Sequence, residues 1–430
     1  MTAVRRNSWS GSAFTSLRNH QFRILSAGSF GAFLAFMMSS TAQNVVAFDL
    51  TGNNRAVGFV AFGQGIAMLV FPPFGGALAD RFSKRLMLLV CQGIIGLVTL
   101  VVAVLLATGD ITILYLSMGA FVTGVMFSLV GPTRLALIGE IVEPAHRGNA
   151  AALTQVALAS ARVIGPFCAG GLLAWEAFGA AGTYFITAVI FIIVVATLSF
   201  LPPTRSRHDR AASSIGQDVV IGLRYVRDNR DVLRLVMGFF LVVTFGFSYL
   251  TVLPGFADQE LHVGAAGFGT LVGVSAIGGL MVSLAFAPIA DSPRGSTLLL
   301  SSSLATGISI FLLALAPGFV FALVLIFFVG GATSGFQTLN NALALRHADP
   351  LYYGRLMSLM ILAWGAVGLV ALPIGILADA VGERATLMAI GVTVCALVIG
   401  SEAAFARLHP AGAAEPKLGE KADLTPADRS

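Results

Sequence analysis

Long apolar runs alternate with short polar breaks along nearly the whole chain. Runs of the length a helix needs to cross a bilayer, about 20 residues, fall at about 23–48, 55–79, 86–108, 111–139, 150–175 and 179–201. After a polar stretch they resume at about 233–256, 265–290, 297–316, 318–345, 355–379 and 385–406. This grouping predicts an all-α membrane protein: twelve transmembrane helices in two pseudo-symmetric six-helix bundles around a central cavity. A closed β-barrel is excluded, because its strands alternate over about 10 residues instead of staying apolar. The predicted layout is an N-terminal segment (1–22), a first bundle (23–201), a linker (202–232), a second bundle (233–408) and a tail (409–430). Within the linker, Ile215, Val219, Val220, Leu223 and Val226 share one helical face, with Gln217, Arg224, Arg227 and Asp228 opposite. Such a segment reads as a surface helix lying along the membrane. The tail is too polar to order itself by burial.

The halves also repeat. Leu135, Ala136 and Leu137 recur as Leu343, Ala344 and Leu345, and Arg147 recurs as Arg355 at the same offset. Ala79 and Asp80 recur as Ala290 and Asp291 at a nearby one. Two repeats around a midplane cavity are the architecture of alternating-access carriers.

Composition narrows the class further. Charged residues make up 11% and hydrophobic residues 57% of the chain, with a mean hydropathy of +0.87. Soluble domains run near about one quarter charged, so most of this surface must face lipid. The net charge of +5 does not mark a nucleic-acid binder, because the basic residues are spread over many short loops. A cytoplasmic start places all of the 26 basic residues on the inside except Arg55, Arg384 and the mid-span Arg162. The excess of Lys and Arg on cytoplasmic loops therefore puts both termini and the linker in the cytoplasm, in a plasma (inner) membrane. Cys91, Cys168 and Cys395 sit in apolar runs without metal-type spacing and read as small core residues. No phosphate-binding loop, Gly-x-Ser-x-Gly elbow or His/Cys cluster is present, so neither an enzyme nor a cofactor is expected.

The loop after the second run carries Gly76, Asp80, Arg81, Lys84 and Arg85. It resembles the major facilitator superfamily signature Gly-x-Leu-x-Asp-Arg-x-Gly followed by two basic residues, departing from it at Ser83. The resemblance implies that Asp80, at a helix end on the cytoplasmic side, meets the N-terminus of the eleventh span and latches the halves in the outward-facing state. The plainer reading is that this turn only caps the second span. Looser likenesses run through Ser16 to Arg23, Asp49 to Asn53, Gly222 to Arg227, Ala332 to Gln337 and Gly354 to Ser358. These are similar to the enterobactin-exporter-like secretion effectors, a branch that includes macrolide efflux proteins.

Polar or aromatic side chains inside apolar spans are the candidates for a cavity lining. They are Gln43 and Asn44 in the first span, Gln155 in the fifth, Tyr249 in the seventh, Gln337 and Asn340 in the tenth and Trp364 in the eleventh. Some of these bond helix to helix instead. Arg162 stands in the middle of the fifth run, close to Gly165, Pro166, Gly170 and Gly171. That segment is similar to the antiporter signature Gly-Pro-x-x-Gly-Gly with one extra residue, and it equally reads as a kinked, close-packing helix whose partner is the eighth span with Gly269 and Gly273. Arg162 either holds an anionic or carbonyl-rich substrate or bonds to backbone carbonyls freed at the kink. For a coupling ion, which the resemblance makes a proton, the titratable candidates are Asp49, which also reads as a loop cap, and Glu402, which also reads as snorkelling to the inner surface. The expected function is secondary, proton-coupled export of a small amphipathic molecule, drug- or siderophore-like, with membrane lipids around it. The alternatives are a nutrient importer or uniporter and a non-transporting receptor or scaffold.

Overall fold

The computed structural model describes residues 15–72, 82–202, 215–289, 292, 294–349 and 352–408. Twelve apolar helices follow one another, and no strand occurs among the described residues. In the first half they are α1 (His20–Asp49), α2 (Asn54–Val70), α3 (Lys84–Thr108), α4 (Ile113–Ile141), α5 (Arg147–Ala174) and α6 (Gly179–Ser199). In the second they are α7 (Arg230–Glu260), α8 (Gly264–Ile289), α9 (Gly295–Ala314), α10 (Phe319–His347), α11 (Tyr353–Val381) and α12 (Glu383–Leu408). Eleven of these are long and apolar enough to cross a membrane. The described part of α2 is shorter, at 17 residues, and its predicted run continues past Val70 into residues outside the description.

Local chemistry sets the ends. Asn19 caps α1 by accepting from the N–H groups of Gln21 and Phe22 at 2.9 and 3.2 Å. Ser83, Thr112 and Asn229 cap α3, α4 and α7 in the same manner. Gly109, at φ 79°, closes α3 in the left-handed conformation that glycine adopts without strain. The seventh span differs from the unbroken predicted run. It is interrupted at Phe247 and Ser248, between Gly246 and Pro254, and ends in a π-turn over Phe256–Glu260. The chain there turns through i→i−3 bonds (Ser248 N–H to Phe245, Leu250 N–H to Phe247, Thr251 N–H to Ser248), and hydropathy does not register it because the flanking residues are as apolar as those of an unbroken helix.

Each half is a bundle with its own core. In the first, α1 packs on α5 and α6, and α3 packs on α4 and α6. Phe22, Leu25, Leu88, Leu137, Ile138 and Leu198 fill its end nearest the linker. In the second, α10 lies against α8 and α9, and α9 against α12. The ends of the bundles that carry the linker are called here the linker face, and the opposite ends the far face. The linker helix (Ile215–Asp228) is docked on the second half. Val226 is buried in that half's core. Tyr225 stacks on Tyr352 at 4.0 Å and 4°, and its hydroxyl oxygen accepts from the Asp349 N–H at 2.7 Å.

Candidate functional site

The halves meet along two seams, α2 on α11 and α5 on α8. Glycine makes both possible. A Cβ on Gly65 would sit 2.6 Å from the Gly368 Cα, and one on Gly58 would sit 2.5 Å from the Ala371 carbonyl oxygen. On the other seam, Gly170 of α5 and Gly269 of α8 approach so closely that a Cβ on either would lie within 2.9 Å of the other's Cα. Gly273 takes the Phe167 ring, and Gly165 takes Met37 of α1. Small residues that bring backbones together substitute for a hydrophobic drive that is absent in lipid.

At the far face a polar cluster joins the halves. The Asp379 carboxylate, near the end of α11, accepts from the N–H groups of Asn54 and Arg55 at 2.6 and 3.1 Å. The Asn54 side chain is buried and donates to Glu383 at 2.8 Å. Gln259 donates to the Gly52 carbonyl at 3.3 Å. Nearby, Arg384 donates to Glu260 at 2.5 Å and to the carbonyls of Ala314 and Ala316 at 2.7 and 2.9 Å, tying three segments of the second half together.

Arg162 lies about 22 Å along α5 from its first residue. Ala161 and Gly165 point to α1, whereas Pro166 and Gly170 point to α8. At 3.6 residues per turn, Arg162 and Gln155 fall in the arc between these two neighbours, one from each half. The opposite arc carries the exposed apolar side chains Val156 and Ile164. Both Arg162 and Gln155 keep accessible surface. The Arg162 guanidinium lies over the Phe33 ring, 6.0 Å from its centroid, and has no hydrogen bond or ion pair among the described residues. The alternative of bonds to carbonyls at the Gly165–Pro166 kink is therefore not what the geometry shows. Phe33 belongs to a cluster with Phe36 of α1 and Phe127 of α4, in which Phe36 and Phe127 stack at 4.0 Å and 12°. Nothing in the sequence pattern singled these rings out, because phenylalanine is ordinary in a membrane helix.

The other candidates are dispersed. Gln43 lines a small cavity inside the first bundle with Gln64, Thr99, Thr123 and Tyr184, and Asn44 is half-buried beside Val45, which packs into the second half's core. Tyr249 is buried, with its hydroxyl 3.1 Å from Ser275 Oγ, and so ties α7 to α8. Trp364 of α11 rests against Phe247 at the α7 break, 4.7 Å between centroids. The Gln337 Nε2 is buried without a partner among the described residues, as are both amide atoms of Asn340. Asn340 lines a pocket of the second bundle that also holds Asp231, Arg234, His347 and Glu402.

Glu402 is paired rather than alone. It forms a two-pronged pair with Arg234 of α7, with Nε to Oε1 at 2.9 Å. Asp49 ends α1 exposed. Of the signature loop, Gly76, Asp80 and Arg81 lie outside the described residues, as do Ala79, Ala290 and Asp291 of the repeat. Lys84 is buried and pairs with Glu140 of α4 at 2.5 Å, and Arg85 donates to the Ser199 carbonyl at the end of α6. These two bonds hold the first bundle together at the linker face. Arg147 and Arg355 stand near the starts of α5 and α11, the corresponding spans of the two halves. Arg147 donates to the Gly139 carbonyl at 2.6 Å, closing the end of α4.

The chain is 25% identical over 365 residues to the "Staphyloferrin A transporter" of Staphylococcus aureus, covering 82% of this chain and 89% of that one. It is 26% identical over 355 residues to the "Enterobactin exporter EntS" of Shigella boydii serotype 18, covering 80% and 82%. Among solved structures, the nucleoside transporter NupG superposes with a TM-score of 0.71 at 16% identity, over 90% of this chain and 99% of that one. A bacterial homolog of the human lysosomal transporter Spinster, inward-facing and unoccupied, does so with 0.69 at 14%, over 91% and 99%. The family model of the Major Facilitator Superfamily matches residues 25–372, from α1 into α11. With two six-helix halves meeting along α2–α11 and α5–α8, the chain is a multi-pass membrane transporter that belongs to the Major Facilitator Superfamily.

Proposed function

We propose that this transporter works by alternating access as a secondary exporter of a small amphipathic molecule, drug- or siderophore-like, in exchange for protons. The observation that carries the reading is Arg162, a cation without a bonded partner among the described residues, in mid-span on the arc of α5 between its neighbours from the two halves. A charge at that depth costs at least ~2.5 kcal/mol on the insertion scale, and it is worth keeping where a passing solute meets it. The enterobactin exporter among the relatives supports the outward direction. The distribution of Lys and Arg supports a plasma-membrane topology with the linker and both termini in the cytoplasm, so the far face is external. The seams and the Asp379 cluster then close the external side, and the cavity faces the cytoplasm. The units are taken as 1–22, 23–201, 202–232, 233–408 and 409–430, with lipid around both bundles.

The loop from Gly76 to Arg85 is the proposed cytoplasmic latch, with Asp80 as its charge. Gln155 joins Arg162 in the lining. Tyr249 and Trp364 act through helix contacts, Asn340 lines the pocket that holds Glu402, and Gln43, Asn44 and Gln337 stay candidates for the lining. Of the two coupling candidates, Glu402 is favoured over Asp49, because it shares a pocket with two further titratable side chains, Asp231 and His347. The test is uptake of a compound panel into inverted vesicles acidified inside. Accumulation that a protonophore abolishes is the expected result, and Glu402→Gln should remove the stimulation by the pH gradient. Accumulation only in right-side-out vesicles would make the protein an importer, gradient-independent equilibration a uniporter, and no movement of any compound a receptor or scaffold.

A further inference from the structure

Arg162 has a companion on the neighbouring helix. Arg134 stands on α4 seven residues beyond Phe127, almost two full turns, and so on the same side of that helix. It lies about 10 Å in from the linker-face end of α4 and keeps part of its surface accessible. Like Arg162, it has no hydrogen bond or ion pair among the described residues, whereas Lys84 and Arg147 in the same bundle are both engaged. Moving from the linker face into the first bundle, the order is Arg134, then Gln155 about 12 Å along α5, then Arg162 at about 22 Å. The aromatic cluster of Phe33, Phe36 and Phe127 lies beside this path, with the Arg162 guanidinium 6.0 Å from the Phe33 centroid.

Two uncompensated cations inside one bundle repel each other and lose hydration, so a protein keeps them where an anion makes up the difference. A guanidinium beside a phenylalanine ring, with no bonded partner among the described residues, offers its N–H groups to an acid and has an aromatic face beside it for the rest of the solute, a setting that suits an aromatic acid better than a compact, strongly hydrated one. Further out, a cleft lined by charge of one sign draws oppositely charged solutes inward.

We propose that Arg134 and Arg162 form a two-step anion path, and that the transported molecule is an amphipathic aromatic anion. Its acidic group meets Arg134 on entry, and then Arg162 while its ring lies along the Phe33 side. This rests on the transport reading above and specifies its substrate class.

The experiment uses the full chain in lipid nanodiscs for binding and in inverted vesicles for transport. Three probes are compared: an aryl sulfonate (8-anilino-1-naphthalenesulfonate), an aryl cation (tetraphenylphosphonium) and an aliphatic polyacid (citrate). The aryl sulfonate should bind most tightly. Arg162→Gln should weaken it about tenfold or more, and Arg162→Lys should weaken it less. Arg134→Gln should slow association and flatten its salt dependence while leaving dissociation nearly unchanged. Equal or tighter binding of the cation or of citrate would overturn the proposal, as would wild-type binding by both Gln variants. Export of the cation alone would leave the transport reading standing and remove this one. Failure of the wild type to move any compound in either orientation would remove both. Arg162→Lys and Arg134→Lys, which keep the charge, control for loss of fold.

Discussion

The first turn of α2 has no acceptor of its own. Asn53 stands at the cap position, but its side chain makes no capping bond; the acceptor comes from the other half of the molecule, as Asp379. A carboxylate at a helix N-terminus meets both free N–H groups and the positive end of the helix dipole, worth about 0.3–1 kcal/mol for the dipole alone. Asp379→Asn keeps the shape and drops the charge. It should move the population about two- to fivefold toward a separated far face, read as a longer distance between spin labels at the ends of α2 and α11. An unchanged distance distribution would reduce Asp379 to a local cap. The same scale explains Glu402. Its carboxylate is matched by Arg234 from a helix more than 160 residues earlier in the chain, a pairing that depends on which helices are neighbours and so could not be read along the sequence.

At the scale of elements, the seams depend on what glycine lacks. Gly65→Val places a Cβ 2.6 Å from the Gly368 Cα and 2.7 Å from the Gly365 carbonyl, and backbone cannot move aside as a side-chain tip can. The variant should insert and express normally, lose transport, and leave far-face cysteines open to impermeant reagents; normal transport would show that the seam need not close. The linker helix offers a second test. Tyr225→Ala removes both the stack on Tyr352 and the bond from Asp349, so hydrogen exchange over Ile221–Asp228 should rise several-fold while the bundles stay protected. Much at this scale was legible in the sequence, because a bilayer demands unbroken apolar length. The interruption of α7 was not, since the residues flanking Phe247 and Ser248 are as apolar as those of an unbroken run. In the candidate site, Arg162 was visible as a charge without company in an apolar run. Phe33, Phe36 and Phe127 were not, because a membrane helix gives every phenylalanine a reason to be there. Arg134 passed as one more linker-side charge until α4 was seen to place it in line with Phe127.

For the whole molecule, the topology and the latch can be tested together. A single cysteine at position 210 should resist an impermeant reagent in intact cells and react once the membrane is opened; labelling from outside would invert the map. Asp80→Asn should leave insertion intact, slow transport and favour the state closed at the far face, seen as longer distances across the linker face. Unchanged transport and distances would make that loop a simple cap. The contact of α2 with α11 has a further consequence. Where main chain meets main chain, as at Gly65 and Gly368, there is no room for a file of water molecules between the halves. A carrier embedded in an energised membrane must turn over without letting the proton-motive force drain through it, and a watertight joint of bare backbone is an electrical insulator. Replacing Gly368 with a hydroxyl-bearing serine, which holds the helices apart and wets the gap, should therefore turn the protein into a slow proton leak in sealed liposomes under a potassium diffusion potential, even with no solute to carry.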